Sequence, residues 1–135
     1  MWSIIGGTGF EKFEGFKVKH WLDRKTPFGE TSSGLSLVEI FGKEVLYVSR
    51  HGQHHEVLPS EVNYRANIFA LKKFGATKIL SISSVGSLKQ EYAPGDCVVP
   101  DQYLDRTKGI RKHSFCGDGI VGHVSLANPV DIVLF

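Results

Sequence analysis

The stretch EVLYVSRHGQHHEVLPSEVNYRANIFALKKFGATKILSIS, residues 44–83, places two apolar runs on either side of a segment with helical periodicity. The first run, Glu44–Ser49, is typical of a strand. We predict a helix that opens at Pro59-Ser60 and runs to about Phe74, where Gly75 ends it. The second run, Thr77–Ser83, is apolar and β-branched and predicts another strand. The order strand, helix, strand predicts an α/β protein whose sheet has a parallel component.

Three further segments are predicted to add strands to this sheet. Trp2–Ile5 is a short apolar run that stops at a pair of glycines, as a buried strand entering a turn does. Leu35–Phe41 and the first run of the quoted stretch flank Gly42-Lys43, which predicts a β-hairpin with a two-residue turn. Cys97–Pro100 follows a turn signal and predicts one more strand.

The last residues predict a helix and an incomplete domain. Asn128-Pro129 is a good helix start, with asparagine as the cap and proline at the first position. The following residues, VDIVLF, keep the chain apolar up to its last position, whereas natural ends are more often polar and frayed. We therefore expect residues 1–135 to be the N-terminal part of a single domain whose C-terminal half lies outside this chain.

The composition excludes several classes of function. A net charge of +2 from 16 basic and 14 acidic residues gives a nearly balanced surface, which argues against a nucleic-acid-binding protein. Cys97 and Cys116 lack the spacing of metal ligands and are interpreted as free thiols in a reducing compartment. The apolar run at the N-terminus is too short for a signal peptide or a membrane span. A cytoplasmic protein without a membrane partner is expected.

Glycine-flanked polar residues follow three of the predicted strands. The first group is Gly6-Gly7-Thr8-Gly9, where a glycine cluster after a strand allows backbone N–H groups to turn toward one anion. Thr8 adds a hydroxyl donor. The group matches neither the Walker motif nor the dinucleotide fingerprint, so by itself a plain tight turn is the favoured interpretation.

The second group is RHGQHHE, residues 50–56, directly after the strand that ends at Ser49. A metal site would use His51, His54 and His55, but Gly52 interrupts the helix that this spacing requires and the adjacent arginine repels a cation. An anion site would use Arg50 as a fork for phosphate oxygens with His51 as a second donor. Solvated loop residues are the remaining alternative. The anion site is favoured.

The third group is Ser83-Ser84-Val85-Gly86-Ser87, at the end of the strand that follows the helix. Two hydroxyls and turned backbone amides there could complete a phosphate pocket, although a serine-rich turn is the favoured interpretation of this segment by itself. The order of residues is not that of a G-x-S-x-G nucleophile elbow. The three groups gain weight together, because open α/β sheets bind ligands at the carboxyl ends of their strands.

Four segments resemble one known family. IIGGTGF (residues 4–10), RHGQHHEVLPSEVNYRAN (50–67), SSVGSL (83–88) and PGDCVVPDQYLDRT (94–107) are similar, in register, to the trimeric type of 5′-methylthioadenosine and purine nucleoside phosphorylases. The resemblance implies a three-layer α/β/α sandwich around a mixed, barrel-like sheet, here truncated. It implies phosphorolysis of a purine nucleoside to free purine and ribose 1-phosphate, or its 5-methylthio form. It also implies homotrimers and no metal or organic cofactor.

The resemblance also implies roles for individual residues. Thr8, Arg50 and His51 match phosphate binders of the family. Ser83 and Ser84 fall where the family carries a phosphate-contacting pair, often Thr-Ala or Asn-Ala. Two further histidines match positions near the substrate: His55 close to the phosphate pocket, and His123, which a neighbouring subunit would present to the 5′ substituent. The residue that assists the leaving purine lies in the family's C-terminal half, so no catalytic residue is assigned in this chain.

Two other functions remain open at this point. One is a phosphate- or nucleotide-binding module without turnover, which phosphate-dependent release of base would exclude. The other is a nucleosidase that uses water, which Arg50 and His51 disfavour because they place an anion where the water would sit. The preferred base and 5′ substituent are not determined by these residues.

Overall fold

The computed structural model describes residues 1–107, 109–112 and 114–131. The chain divides into two compact units, Met1–Ser84 and Val85–Phe135, and each is described by itself. Among the described residues, no helix combines the length and the apolar character needed to cross a membrane. The prediction that residues 1–135 belong to a single larger domain stays a prediction.

The first unit is a mixed five-stranded sheet with one helix. Its strands are ordered β2-β5-β6-β1-β7, and β3 and β4 form a separate two-stranded ribbon. A short 3₁₀ turn at Phe10–Lys12 follows the first strand. The elements are β1 (Trp2–Gly6), β2 (Phe16–Leu22), β3 (Lys25–Thr26), β4 (Gly29–Glu30), β5 (Leu35–Ile40), β6 (Lys43–Ser49), α1 (Tyr64–Lys73) and β7 (Lys78–Ser81). The predicted α/β class with a mixed central sheet is confirmed.

Strand β1 lies between β6 and β7 and is parallel to both. Ile5 is in register with Val48 on one side and with Ser81 on the other. The hydroxyl of Ser3, which is fully buried, donates to the carbonyl of Lys78 at 2.9 Å and adds a bond across the β1–β7 pair. Because all three strands run in the same direction, their carboxyl ends meet at one edge of the sheet.

The hairpin of β5 and β6 is present, but its turn lies one residue earlier than predicted. Ile40 pairs with Lys43, so the two turn residues are Phe41 and Gly42 rather than Gly42 and Lys43. Both have positive φ, 48° and 76°, as a type I′ turn requires. The exposed Phe41 side chain makes the turn difficult to place from sequence, since aromatic residues rarely adopt this conformation.

The helix is shorter than the predicted Pro59-to-Phe74 segment. It begins at Tyr64 because the side chain of Asn63 accepts the N–H of Ala66 and caps the first turn. Its predicted end is confirmed. Gly75, at φ 90°, donates to the carbonyl of Lys72, and Ala76 donates to that of Leu71, which is the Schellman arrangement.

The core lies between α1 and one face of the sheet. Its largest member on the helix is Leu71, which has no exposed surface, and Ala70 beside it is also fully buried. A buried amide, Asn67, lies at the margin: its oxygen accepts the N–H of Ser32 at 2.9 Å and its nitrogen donates to the Ser32 hydroxyl at 3.0 Å. The cluster comprises Ile5, Leu35, Leu46, Val48, Ala70 and Leu71.

The strand predicted for the second unit does not form. Residues 97–100 form no strand, and Val98 and Val99 are 54% and 51% exposed. A β-branched run becomes a strand only where a neighbouring backbone pairs with it. The helix predicted from Asn128 onward is not seen over residues 128–131, and the rest of that segment lies outside the described residues.

Candidate functional site

The three predicted polar groups follow β1, β6 and β7, at the edge where these parallel strands end. Arg50 follows β6, Gly7 and Thr8 follow β1, and Ser83-Ser84 follow β7 after Ile82. The N–H of Ile82 donates to the carbonyl of Ile5 at 3.0 Å, so this loop begins beside β1. The polar groups that were predicted to follow strands therefore lie at one edge of the sheet.

Arg50 reaches across β1 from β6 to β7. Its backbone N–H donates to the carbonyl of Gly6 at 3.1 Å, and its Nη1 donates to the carbonyl of Ile82 at 2.6 Å. The guanidinium crosses directly over Gly7, where an added Cβ would lie 3.0 Å from Nη2. A side chain at position 7 would compress this contact, which explains the glycine.

The ring of His51 is bonded at both nitrogens. Nε of Arg50 donates to Nε2 of His51 at 3.2 Å, so this nitrogen is an acceptor. The hydrogen of the neutral ring is then on Nδ1, which donates to the carbonyl of Val57 at 3.0 Å. His51, predicted as a second donor to the anion, here has both ring nitrogens bonded within the protein and instead holds the guanidinium of Arg50 in place.

Residues 51–57 form a closed loop, with the N–H of Val57 bonded to the carbonyl of His51 at 2.9 Å. Inside the loop, the Glu56 carboxylate accepts the N–H of His54 at 2.7 Å. The N–H groups of Glu56 itself and of His54 hold the pKa of this carboxyl below its usual range. Gly52, at φ 82°, leaves the space that the carboxylate occupies, since a Cβ there would overlap it.

A contact between Thr8 Oγ1 and His55 Nδ1 joins this loop to the glycine loop after β1. The ring of His55 lies 5.1 Å from that of His51, tilted by 44°. The backbone of His55 is left-handed, with φ 59°. The structure therefore brings together Thr8, Arg50, His51 and His55, as expected from the sequence.

The remaining predicted residues, Ser83, Ser84 and His123, are exposed. Ser83 and Ser84 are exposed directly after the carbonyl of Ile82 that Arg50 binds. His123 belongs to the second unit, where its side chain is exposed. Its role toward the substrate stays a prediction.

Two of the three histidines of the loop have protein partners for their rings. His51 bonds Arg50 and Val57, and His55 contacts Thr8. Within the described part of the chain, no three histidine, cysteine, aspartate or glutamate side chains are grouped so as to hold a metal ion.

Sequence reasoning missed the acidic and aromatic groups that support the site. Glu56 was given no role, although a carboxylate close to loop amides is a common local bond. Tyr47 lies beneath Gly6, where a Cβ would be 2.6 Å from Tyr47 Cε2, and its hydroxyl donates to Glu11 at 2.8 Å. Burial, with this hydrogen bond, raises the pKa of Tyr47 above its ordinary value. Glu11 and Tyr47 are too far apart in the chain for any spacing to reveal the pair.

The geometry describes a shallow basic cradle. A guanidinium with an available Nη2, a threonine hydroxyl and two serine residues surround the ends of three strands, and the nearest loop carboxylate is turned toward backbone N–H groups. Such a set suits an acceptor-only anion of tetrahedral or planar shape.

Comparison with known proteins finds methylthioadenosine phosphorylases that are similar to this chain. A methylthioadenosine phosphorylase of Geobacter sulfurreducens is 43% identical over 128 residues, which cover 95% of this chain and 45% of that protein. The crystal structure of a methylthioadenosine phosphorylase from an antarctic soil metagenomic library matches with a TM-score of 0.86 at 46% identity, over 96% of this chain and 45% of that one. A methylthioadenosine phosphorylase of Schistosoma mansoni in complex with adenine matches with a TM-score of 0.84 at 39% identity, over 95% and 48% of the two chains.

The chain thus spans less than half the length of these relatives. The family model described as the phosphorylase superfamily matches residues 3–132, almost the whole sequence. This chain belongs to the phosphorylase superfamily.

Proposed function

We propose that the first unit forms the phosphate-binding part of a site that cleaves the N-glycosidic bond of a purine nucleoside by phosphorolysis. The substrate is 5′-methylthioadenosine or a related purine nucleoside, and the products are free purine and (5-methylthio)ribose 1-phosphate. The observation that carries the proposal is the Arg50 guanidinium, held across β1 between the ring of His51 and the carbonyl of Ile82.

In this reaction an oxygen of phosphate attacks the anomeric carbon while the bond to the purine nitrogen breaks. The sugar becomes cationic as the base departs with the bonding electrons, so a phosphate dianion held beneath it stabilises the transition state. Arg50 fixes that dianion through charge-assisted bonds and thereby keeps it aligned for attack. The protein needs no covalent nucleophile.

The proposed phosphate contacts come from each of the three strand ends. Thr8 donates its hydroxyl, Arg50 its Nη2, Ser83 its hydroxyl and Ser84 its backbone N–H. His51 acts on phosphate through Arg50 in the geometry described above. Phosphate is the co-substrate, and the proposed reaction uses no metal or organic cofactor.

The identity of the nucleoside is supported by the relatives, which are named methylthioadenosine phosphorylases. A complex of one of them with adenine is consistent with a purine product. The proposed enzyme acts in purine salvage in the cytoplasm. It is proposed to be a homotrimer in which His123 of a neighbouring subunit approaches the 5′ substituent.

Chromatography of reaction mixtures tests it. The purified chain is incubated with methylthioadenosine, adenosine, inosine or guanosine, with and without phosphate, and with a chelator in a parallel series. Phosphate-dependent release of adenine from methylthioadenosine that the chelator leaves unchanged is the expected result. Release that needs no phosphate would contradict phosphorolysis and favour a nucleosidase.

A second function is phosphate binding without turnover. It is favoured by one observation: the contacts among Thr8, His55, Arg50, His51 and Ile82 all lie within the first unit. Phosphate binding to the chain without release of base from any of the four nucleosides would select this function.

A further inference from the structure

The contact between Thr8 and His55 has a direction that bears on phosphate binding. Thr8 Oγ1 and His55 Nδ1 are within hydrogen-bonding distance, and either atom can be the donor. The two directions leave the threonine hydroxyl in different states. Since phosphate oxygens accept hydrogen bonds, the direction decides whether Thr8 can serve the anion.

A threonine hydroxyl has one hydrogen and two lone pairs. If Nδ1 of His55 is unprotonated, Thr8 donates its hydrogen to the ring and offers phosphate only lone pairs, which repel it. If Nδ1 carries the hydrogen, Thr8 accepts from the ring, and its own hydrogen can turn toward phosphate. While this contact is kept, Thr8 can donate to phosphate only if Nδ1 carries a hydrogen.

The surroundings of His55 allow that form. The ring of its neighbour His51, 5.1 Å away, is neutral with its hydrogen on Nδ1. It therefore places no positive charge beside His55 that would disfavour a hydrogen on His55 Nδ1. The Glu56 carboxylate of the same loop is turned to the N–H of His54. On the facing loop Thr8 is the group that His55 contacts.

The left-handed backbone of His55 is a second reason to assign a role to its side chain. Its φ of 59° lies in the left-handed region, which a residue with a Cβ adopts at a cost. The surrounding loop maintains this conformation through the bond from Val57 N–H to the His51 carbonyl. Such a conformation at a site is a reason to look for a role of the side chain.

We propose that His55 is a positioning residue that keeps a hydrogen on Nδ1, donates it to Thr8 Oγ1, and so directs the Thr8 hydroxyl hydrogen at the bound phosphate. This inference rests on the proposed phosphate site. It assigns to His55 an action through Thr8 rather than contact with the reacting atoms.

The test compares two replacements that both tolerate a left-handed backbone. In His55→Asn the side-chain amide can place a donor where Nδ1 lies, whereas His55→Gly removes the side chain without adding backbone strain. Phosphate affinity is measured by calorimetric titration of inorganic phosphate. We expect His55→Asn to bind within about twofold of the wild type and His55→Gly about fivefold more weakly, the value of one ordinary hydrogen bond.

Thr8→Val, which keeps the shape of the side chain without its hydroxyl, tests the coupling. In the Thr8→Val background, His55→Gly is expected to cause no further loss. Equal affinities of wild type and His55→Gly, equal losses in His55→Asn and His55→Gly, or additive losses in the double variant would each overturn the inference.

Ring ¹⁵N NMR of the wild-type chain saturated with phosphate gives an independent readout. The expected spectrum has His55 Nδ1 protonated, and an unprotonated Nδ1 would overturn the proposal. If the wild type binds no phosphate, the proposed phosphate site is wrong and this inference falls with it. If the wild type binds phosphate and His55→Gly does so equally well, this inference alone fails.

Discussion

The two units of the chain differ in how their apolar segments are used. In Met1–Ser84 every strand of the main sheet has a hydrogen-bonded neighbour, and α1 covers one face. In the described part of Val85–Phe135, the regular backbone pairing is one isolated bridge between Gly117 and Ile120. Apolar side chains such as Leu104, 88% exposed, remain in solvent there. Similar β-branched segments therefore form a sheet or an irregular chain according to the pairing partners available to them.

The largest expected effect is on the stability of the first unit. Leu71→Ala removes a fully buried side chain from the core and should lower the free energy of unfolding by about 2–5 kcal/mol. Urea unfolding followed by tryptophan fluorescence measures this, because Trp2 and Trp21 both lie in the first unit. The matched change Leu104→Ala in the second unit should stay within about 0.5 kcal/mol of the wild type. Equal losses of unfolding free energy in the two variants would contradict the difference between the two units.

The next effect concerns the affinity for phosphate. Arg50→Ala should weaken binding by about 1.5–3 kcal/mol, the range for hydrogen bonds to a charged group. Arg106→Ala, which removes an exposed arginine from the second unit, is the control for the loss of one positive charge. Titration calorimetry at fixed ionic strength compares them. Similar affinities for the two variants would mean that net charge, rather than the cradle, holds the anion.

A smaller effect is expected from the glycine beneath Arg50. Gly7→Ala places a methyl group 3.0 Å from Arg50 Nη2, so the guanidinium must shift by a few tenths of an ångström. We expect phosphate to bind about threefold more weakly, within the range of an ordinary point substitution. Gly86→Ala, where an added Cβ meets nothing within 4 Å, should bind as the wild type does. A Gly7→Ala variant with wild-type affinity would show that the crossing of Arg50 over β1 is unimportant for the site.

The smallest effect is the pH dependence of the 51–57 loop. The backbone N–H groups of Glu56 and His54 lower the pKa of the Glu56 carboxyl in the folded chain. The carboxylate therefore orders the 51–57 loop fully above its unfolded-state pKa, and this ordering is lost as the pH falls through the lower folded pKa. Hydrogen exchange of the His54 amide, corrected for its intrinsic pH dependence, should lose protection over that acidic interval in the wild type. In Glu56→Gln the interval should be absent. The exposed pair Lys89–Glu91 of the second unit supplies the control variant Glu91→Gln.

Much of the first unit could be predicted because its signals are local. The apolar run after Met1, the hairpin pattern and Gly75 at the end of α1 each reflect the conformation of a few consecutive residues. Strand β2 (Phe16–Leu22) was not predicted: it is an edge strand with an exposed middle, and the alternation of its first four residues is broken at His20. The strand predicted at residues 97–100 was wrong because propensity specifies no pairing partner.

In the candidate site, too, the local features could be predicted from the sequence and the long-range contacts could not. Thr8, Arg50 and His51 were found because glycine-flanked polar residues at strand ends are visible in the sequence. The bonds that orient them were not predictable. Arg50 meets the carbonyl of Ile82, 32 residues away, and Thr8 meets His55, 47 residues away, only because β6, β1 and β7 are adjacent in the sheet.

The carboxyl ends of β6, β1 and β7 are proposed to form one phosphate cradle. Titration of ¹⁵N-labelled chain with inorganic phosphate, followed by amide chemical shifts, tests it most directly, with sodium chloride of matched ionic strength as the control. We expect saturable shifts concentrated at Gly7-Thr8, in residues 50–55 and at Ser83-Ser84, and their loss in Arg50→Ala. Shifts that are absent from these three segments, or that persist unchanged in Arg50→Ala, would contradict it.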